Sequence, residues 1–335
     1  MWNHSIQPMS VSAILDRTFK TYRDRFIEIS LFSLLIGGIM TLLVSIFQPG
    51  AAALNPLVSF QSLISAFEYG TFDYFLDFLE PSSAMDGTQY VLMILLSLFF
   101  GFLSEIFVMP FITGGIVLIT LGVFHGKEEE RNSIFSYVSK RYGKLLLTQL
   151  AFIAISVLLS LPFILVFILF FVAIALSGGL VWASIAAIIL ISIILVFAML
   201  FALLFFYTFT MFLFPAVIQE EIAGFKAVSR AFQLFRRKIW KSIGLFLLIS
   251  LISGAVSSVL GLIAGLFGMV LPYIITTVLL SAIQGLIMPL PIIAFTFLYL
   301  DIRMTTEGYD LELRAAEALE VENEFTITEA DSQND

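Results

Sequence analysis

Few residues in this sequence could do chemistry, and their spacing limits what that chemistry is. Glu105, in Leu103-Ser104-Glu105-Ile106-Phe107, is the one ionisable side chain well inside a long apolar run. A charge at such a position costs about 2.5–3.5 kcal/mol on insertion scales, so Glu105 is expected to face the bundle and to be partnered or protonated. No Lys or Arg lies within the apolar runs to pair with it, which leaves Ser97, Ser104, Thr148, Gln149 and Gln284 as neutral partners, and Pro110 and Gly114-Gly115 nearby could open the helix locally. Glu105 with Gln149 and Gln284 is therefore the candidate intramembrane polar site. It would be either a proton- or cation-sensing position or a hydrogen-bonded structural acid.

The other chemical options are narrower still. With no Cys there is no disulfide framework, thiolate metal site or cysteine nucleophile, and the two His, His4 and His125, stand too far apart in sequence to suggest a zinc site. The sequence lacks a Walker loop, a GxSxG elbow, an HExxH pair and any His–carboxylate set placed for phosphodiester hydrolysis. The expectation is a non-enzyme with no cofactor, no metal and no nucleic-acid partner. Acidic residues Asp73, Asp77 and Glu80 fall on one helical face of the segment 48–89, which holds no basic residue. That face either attracts a cationic peptide or metal ion, or simply keeps the loop soluble.

What must position these groups is a membrane bundle. The chain has 335 residues, 60% hydrophobic and 13% charged, against about 45–50% and about 25% in soluble domains. Too few polar residues remain to clothe a soluble core, so apolar surface must meet lipid. Charge-poor runs cover Ile27–Phe47, Tyr90–Phe124, Leu145–Leu176, Leu180–Phe214, Ile243–Val270 and Pro272–Leu300. Each exceeds the roughly 20 residues a span needs. Six transmembrane helices are expected, the longer ones tilted or kinked at Pro110 and Pro162. The first run reads as a span and not as a cleaved signal peptide.

All 17 basic residues fall between the spans on one side, in groups before the first, between the second and third, between the fourth and fifth, and after the sixth. The positive-inside rule then puts both termini of this multi-pass membrane protein in the cytoplasm. The expected organisation is a basic amphipathic helix over 1–26, a membrane domain over 27–300 with basic segments 125–144 and 215–241, and an acidic tail over 301–335 that is disordered at its end.

Two of the basic segments match. At a constant offset of 213 residues, Arg17 meets Arg230, Phe19 meets Phe232, Tyr22 meets Phe235, Arg23 meets Arg236 and Arg25 meets Lys238. A looser third version precedes the third span, with Ile134, Phe135, Val138, Lys140, Arg141 and Lys144. On a helix, Ile14, Phe19, Tyr22 and Phe26 share one broad face, as do Ala227, Phe232, Phe235 and Ile239. The fold class is thus all-α, a six-helix bundle of three parallel repeats, each an interfacial helix plus a transmembrane hairpin. Such helices lie in the headgroup layer, where each basic residue contributes about 1 kcal/mol toward anionic lipid. Arg17, Arg23, Arg25, Arg230, Arg236, Arg237 and Lys238 are the candidate anionic-lipid or partner contacts, or else ordinary juxtamembrane anchors. Glycines at 37–38, 114–115, 178–179, 254, 261, 265 and 268 permit close helix packing, Gly261 and Gly265 forming a GxxxG.

Three segments resemble a known group. The stretch Gln7-Pro8-Met9-Ser10-Val11-Ser12-Ala13-Ile14-Leu15-Asp16-Arg17-Thr18-Phe19, the segment from Phe214-Pro215-Ala216-Val217 through Ala227, Arg230, Ala231 and Phe232, and Tyr299-Leu300-Asp301-Ile302-Arg303 followed by Glu307-Gly308-Tyr309-Asp310-Leu311-Glu312 are similar to motifs of bacterial membrane proteins related to the glycerophosphoryl diester phosphodiesterase membrane domain. Ala13 stands where the family pattern has Glu, and Met304-Thr305-Thr306 lacks a usual base. The resemblance implies the membrane part alone, without the hydrolase barrel, and so no enzyme activity. The function expected is a non-enzymatic scaffold or accessory subunit of a membrane complex. A transporter or export and immunity component with Glu105 in its pathway, and a sensor of anionic lipid, are the alternatives.

Overall fold

A computed structural model of the protein describes residues 9–47, 87–126, 131–176, 182–268, 271, 273–309 and 311. All regular structure among them is helical. Helix α1 (Val11–Asp24) starts at Ser10, whose hydroxyl caps it by accepting the Ala13 N–H at 3.2 Å. It breaks at Arg25 and the chain continues as α2 (Phe26–Phe32), a π-helical turn (Ser33–Gly38) and α3 (Ile39–Phe47). Next come α4 (Gly87–Leu103), a second π turn (Ser104–Val108) and α5 (Met109–His125). That π turn falls just before Pro110, which has no N–H to donate and whose ring crowds the preceding turn, and the widened helix accommodates it. Pro162 lies inside α6 (Arg131–Leu176) without breaking it.

The remaining helices are α7 (Trp182–Thr210), α8 (Leu213–Glu220), α9 (Phe225–Arg237), α10 (Ile239–Gly268), α11 (Tyr273–Ile287) and α12 (Pro289–Glu307). Five described segments are long and apolar enough to cross a membrane: Val91–His125, Ile134–Leu165, Val196–Glu220, Ile239–Phe267 and Ile275–Glu307. By length and composition this is a multi-pass membrane protein. The apolar run Pro272–Leu300 falls largely within one span-length segment, in which α11 and α12 meet at Met288, itself in helical conformation with its N–H on the Gln284 carbonyl at 3.0 Å. Pro289 cannot donate to the Gly285 carbonyl, so that acceptor is taken by the Ser33 hydroxyl at 2.7 Å, and the Leu286 carbonyl by the Tyr22 hydroxyl at 2.7 Å.

Packing is concentrated at one end. From Pro289 to Ile302 nearly every residue of α12 is buried, enclosed by α1, α5, α8, α9 and α10. Close approach to α5 depends on two glycines: a Cβ on Gly115 would stand 2.2 Å from the Phe32 ring, and one on Gly114 2.8 Å from Leu145. Gly261, by contrast, faces open space, so the expected packing at the GxxxG is not made there. The outer halves of α6 and α7 are exposed along most of their described length, as lipid-facing helices must be.

Helices α1 and α9 correspond closely. The buried residues of α1, Ile14, Thr18 and Thr21, stand 213 residues from Ala227, Ala231 and Leu234, all buried in α9. Their breaks, Arg25 and Lys238, keep the same offset. The third basic segment departs from this, running unbroken into α6. Helix α1 turns its buried face onto α12, while α9 packs on α8 and α6 as well as α12; Phe19, Phe225 and Phe232 are left exposed.

Candidate functional site

The packed end of the bundle holds a cluster of paired charges built around α12. Asp301 is completely buried. Its Oδ1 accepts the Met9 N–H at 2.6 Å and its Oδ2 accepts Lys241 Nζ at 2.5 Å, while the same Nζ donates to the Met9 carbonyl at 2.6 Å. One carboxylate thus ties the start of the described chain to α10 and α12. Lys238 Nζ lies 3.7 Å from Asp301 Oδ2 and donates to Thr305 Oγ1 at 2.8 Å.

One turn farther along α12, Arg230 grips two acids. Its Nη1 and Nη2 donate to the Glu307 carboxylate at 2.7 and 2.5 Å, and its Nε to Glu220 at 2.8 Å. This fork geometry suits a planar guanidinium and would not be reproduced by Lys. The Glu307 bond, with Glu220 adding to it against the effect of burial, holds the Arg230 guanidinium above its ordinary value, so it stays charged. Arg237 adds a bond to Glu307 at 2.8 Å. The Tyr299 hydroxyl donates to Glu220 at 2.7 Å, and Arg303 sits 3.7 Å from Glu220 and 3.5 Å from Glu307 with its guanidinium 4.3 Å from the Tyr309 ring centroid. Tyr309, buried, meets Gln219 Nε2 at 2.5 Å and His125 Nε2 at 3.3 Å.

A further set of bonds fixes the α8–α9 connection, where Glu221 (φ 55°) and Gly224 (φ 63°) take the left-handed conformation. Arg141 pairs with Glu221 and donates to the Ile218 carbonyl at 3.1 Å, Lys144 donates to the Glu221 carbonyl at 3.0 Å, and the Gly224 N–H donates to Thr148 Oγ1 at 2.9 Å. Thr148, read from sequence as a partner for Glu105, is spent here.

The chain matches no protein-family model, no curated protein and no solved structure. Its site is therefore read from geometry alone. Of the intramembrane candidates, Gln149 Nε2 does donate to Glu105 Oε1 at 3.2 Å, across the π turn. Glu105 nevertheless lies exposed on the outer face, not toward the bundle interior, and Gln284 is exposed on α11 apart from it. Depth differs too: the Tyr142 hydroxyl donates to the Phe107 carbonyl at 2.9 Å, so Glu105 sits within about two helical turns of Arg141 and Lys144. The sequence placed it deeper because Val91–His125 exceeds the span length and its far end runs into the charged core.

The basic candidates divide. Arg230, Arg237 and Lys238 are used inside the cluster; Arg23 bonds its neighbour Asp24 at 3.3 Å and Arg25 bonds Glu28 at 3.0 Å; Arg17 is half-buried, and Arg236 is exposed. Asp73, Asp77, Glu80 and His4 lie outside the described residues. Sequence reading missed Glu220, Asp301 and Glu307 as the carboxylates that neutralise the basic strip. The available signal was their position: each stands at the charged end of an apolar helix, opposite an Arg or Lys group of unlike sign. The three motif segments quoted for the family resemblance all contribute to this cluster, through Met9, through Arg230, and through Tyr299, Asp301, Arg303 and Glu307.

Proposed function

We propose that this is a non-enzymatic scaffold or accessory subunit of a membrane complex in a bacterial cytoplasmic membrane. It has both termini in the cytoplasm and six spans, with helical Phe26–Phe47 as the additional one. The closed charge cluster carries this reading. Most of its cations and carboxylates pair with one another, Arg303 Nε standing 3.5 Å from Glu307 and 3.7 Å from Glu220, an arrangement that holds helices in place. The correspondence of α1 with α9 supports two of the three proposed repeats. Buried Tyr309 anchors the chain just before the acidic segment 312–335, so the cluster acts as a rigid base presenting an acidic tail to a partner.

The test is purification in mild detergent of the full chain and of a chain ending at Leu319. A partner retained by the first and lost by the second is expected. Identical partner sets would remove the tail from docking. Glu105, bonded to Gln149 on an outer face, serves as a structural acid; pH-dependent flux abolished by Glu105→Gln would favour the transporter alternative instead.

A further inference from the structure

Helices α6 and α7 meet through stacked Phe152 and Phe206, with ring centroids 4.8 Å apart, and separate beyond them. Between them lies a cleft of about 1270 Å³, walled by Ile155, Phe163 and Ile168 among other residues of α6 and by Met199, Phe205 and Phe209 among others of α7, and closed at the charged end by α9. The walls are almost wholly apolar. Ser156 and Ser160, their polar members on α6, donate to the carbonyls of Phe152 and Val157 at 2.7 and 2.8 Å, so they offer an occupant no hydroxyl hydrogen. No glycine lines the cleft among the described residues, and its bulky Phe, Leu and Ile walls are unlike the small-residue surfaces against which membrane helices pack.

The floor carries the charge. Phe225, Ser229 and Phe232 of α9 line the cleft at helical spacing, and Arg236, one turn beyond Phe232, continues the same stripe. Lys226 flanks it. Both cations are exposed and have no partner among the described residues, whereas Arg230 and Arg237, about a third of a turn around α9 from Arg236 and on the same side as Lys226, are consumed by Glu220 and Glu307. Arg236, on the stripe that lines the cleft, thus brings positive charge unpaired among the described residues to the rim of an apolar cleft, and Lys226, beside Phe225, adds a second such charge nearer the start of the helix. An occupant must be long, apolar and anionic at one end.

We propose that the α6–α7 cleft binds an anionic phospholipid, its acyl chains between the helices and its phosphate on Arg236, with Lys226, about 15 Å away along α9, adding positive charge to the same rim. Only the leaflet that supplies it, the cytoplasmic one, rests on the orientation proposed above.

The test is native mass spectrometry of the full chain in mild detergent, with phosphatidylglycerol or phosphatidylcholine of identical acyl chains. The expected result is one phosphatidylglycerol retained per chain where phosphatidylcholine is stripped. Lys226→Gln with Arg236→Gln should weaken phosphatidylglycerol by about fivefold per cation and leave phosphatidylcholine unchanged. Ser160→Trp, which fills the cleft, should weaken both lipids. Equal retention of the two lipids by the wild type, or unchanged phosphatidylglycerol binding in the double variant, would overturn the proposal. So would a dimer, formed without lipid, that Ser160→Trp abolishes, since the cleft would then hold a second copy. The two cations have no partner to lose among the described residues, and a melting curve of each variant verifies that it folds. A single cysteine placed at Gln233 in this Cys-free chain and labelled by an impermeant reagent on intact cells would refute the orientation while leaving the lipid measurement intact.

Discussion

Asp301 shows how much depends on one side chain. Its carboxylate is shielded from water and receives a backbone N–H and an ammonium, so its removal leaves Lys241 and Met9 with unmatched polar groups at the packed end. Lys241 retains some exposure and can partly rehydrate, which puts the cost of Asp301→Asn near the low end for a broken buried pair, about 3 kcal/mol. Fluorescence-detected melting in detergent should register that loss, and Asp301→Asn combined with Lys241→Met should recover at least half of it. An unchanged melting temperature in the single variant would mean that the clamp contributes nothing. At this scale the sequence was legible in residue type only. Arg230 and Arg236 look alike in a basic strip, and nothing local says that one meets Glu220 and Glu307 while the other meets no acid among the described residues.

Among the elements, the α11–α12 junction offers a sharper test. Ser33 bonds the Gly285 carbonyl because Pro289 cannot. Ser33→Ala should therefore cost about 1 kcal/mol. In a Pro289→Ala background, where a backbone N–H can satisfy the same carbonyl, the cost should shrink toward zero; additive effects in this cycle would refute the substitution of one donor for another. The glycines separate in the same manner. Gly115→Leu forces a side chain into the Phe32 ring and should cost at least about 1–3 kcal/mol by overpacking, whereas Gly261→Ala, in open space, should be neutral or slightly stabilising. If both variants melt alike, the distinction between packed and unpacked glycine is wrong. Sequence marked every Gly pair as a possible contact, since spacing identifies a helix face but not what lies across from it.

Across the whole molecule, packing is uneven: a dense charged end around α12, and α6 and α7 exposed along most of their described length beyond the Phe152–Phe206 contact. Spin labels on cysteines introduced at exposed sites should report this in bilayers. A pair at Leu150 and Tyr207, near the Phe152–Phe206 contact, should lie closer than a pair at Leu165 and Leu190. Equal distances would mean that α6 and α7 run parallel and that the cleft closes. The distribution also explains why so hydrophobic a chain keeps a cluster of ion pairs: the lipid-facing halves gain little from burial, so fixed geometry comes from the end where charges and apolar residues pack together.

By itself, the amino-acid sequence determined the helical class, the membrane location of the apolar runs, the break after each of two basic segments and the pairing of α1 with α9 by a constant offset. These follow from hydrophobic length and local periodicity, which act along the chain. Only the tertiary structure decided that α12 is the centre of the packed end, that Glu105 sits on an outer face near the charged end, and that most of the cations of α9 are neutralised internally while Arg236 and Lys226 have no partner among the described residues. Those outcomes depend on which helix faces meet at separations of up to almost 300 residues, as between Met9 and Asp301. A charge gains or loses its partner there through contacts that no local pattern encodes.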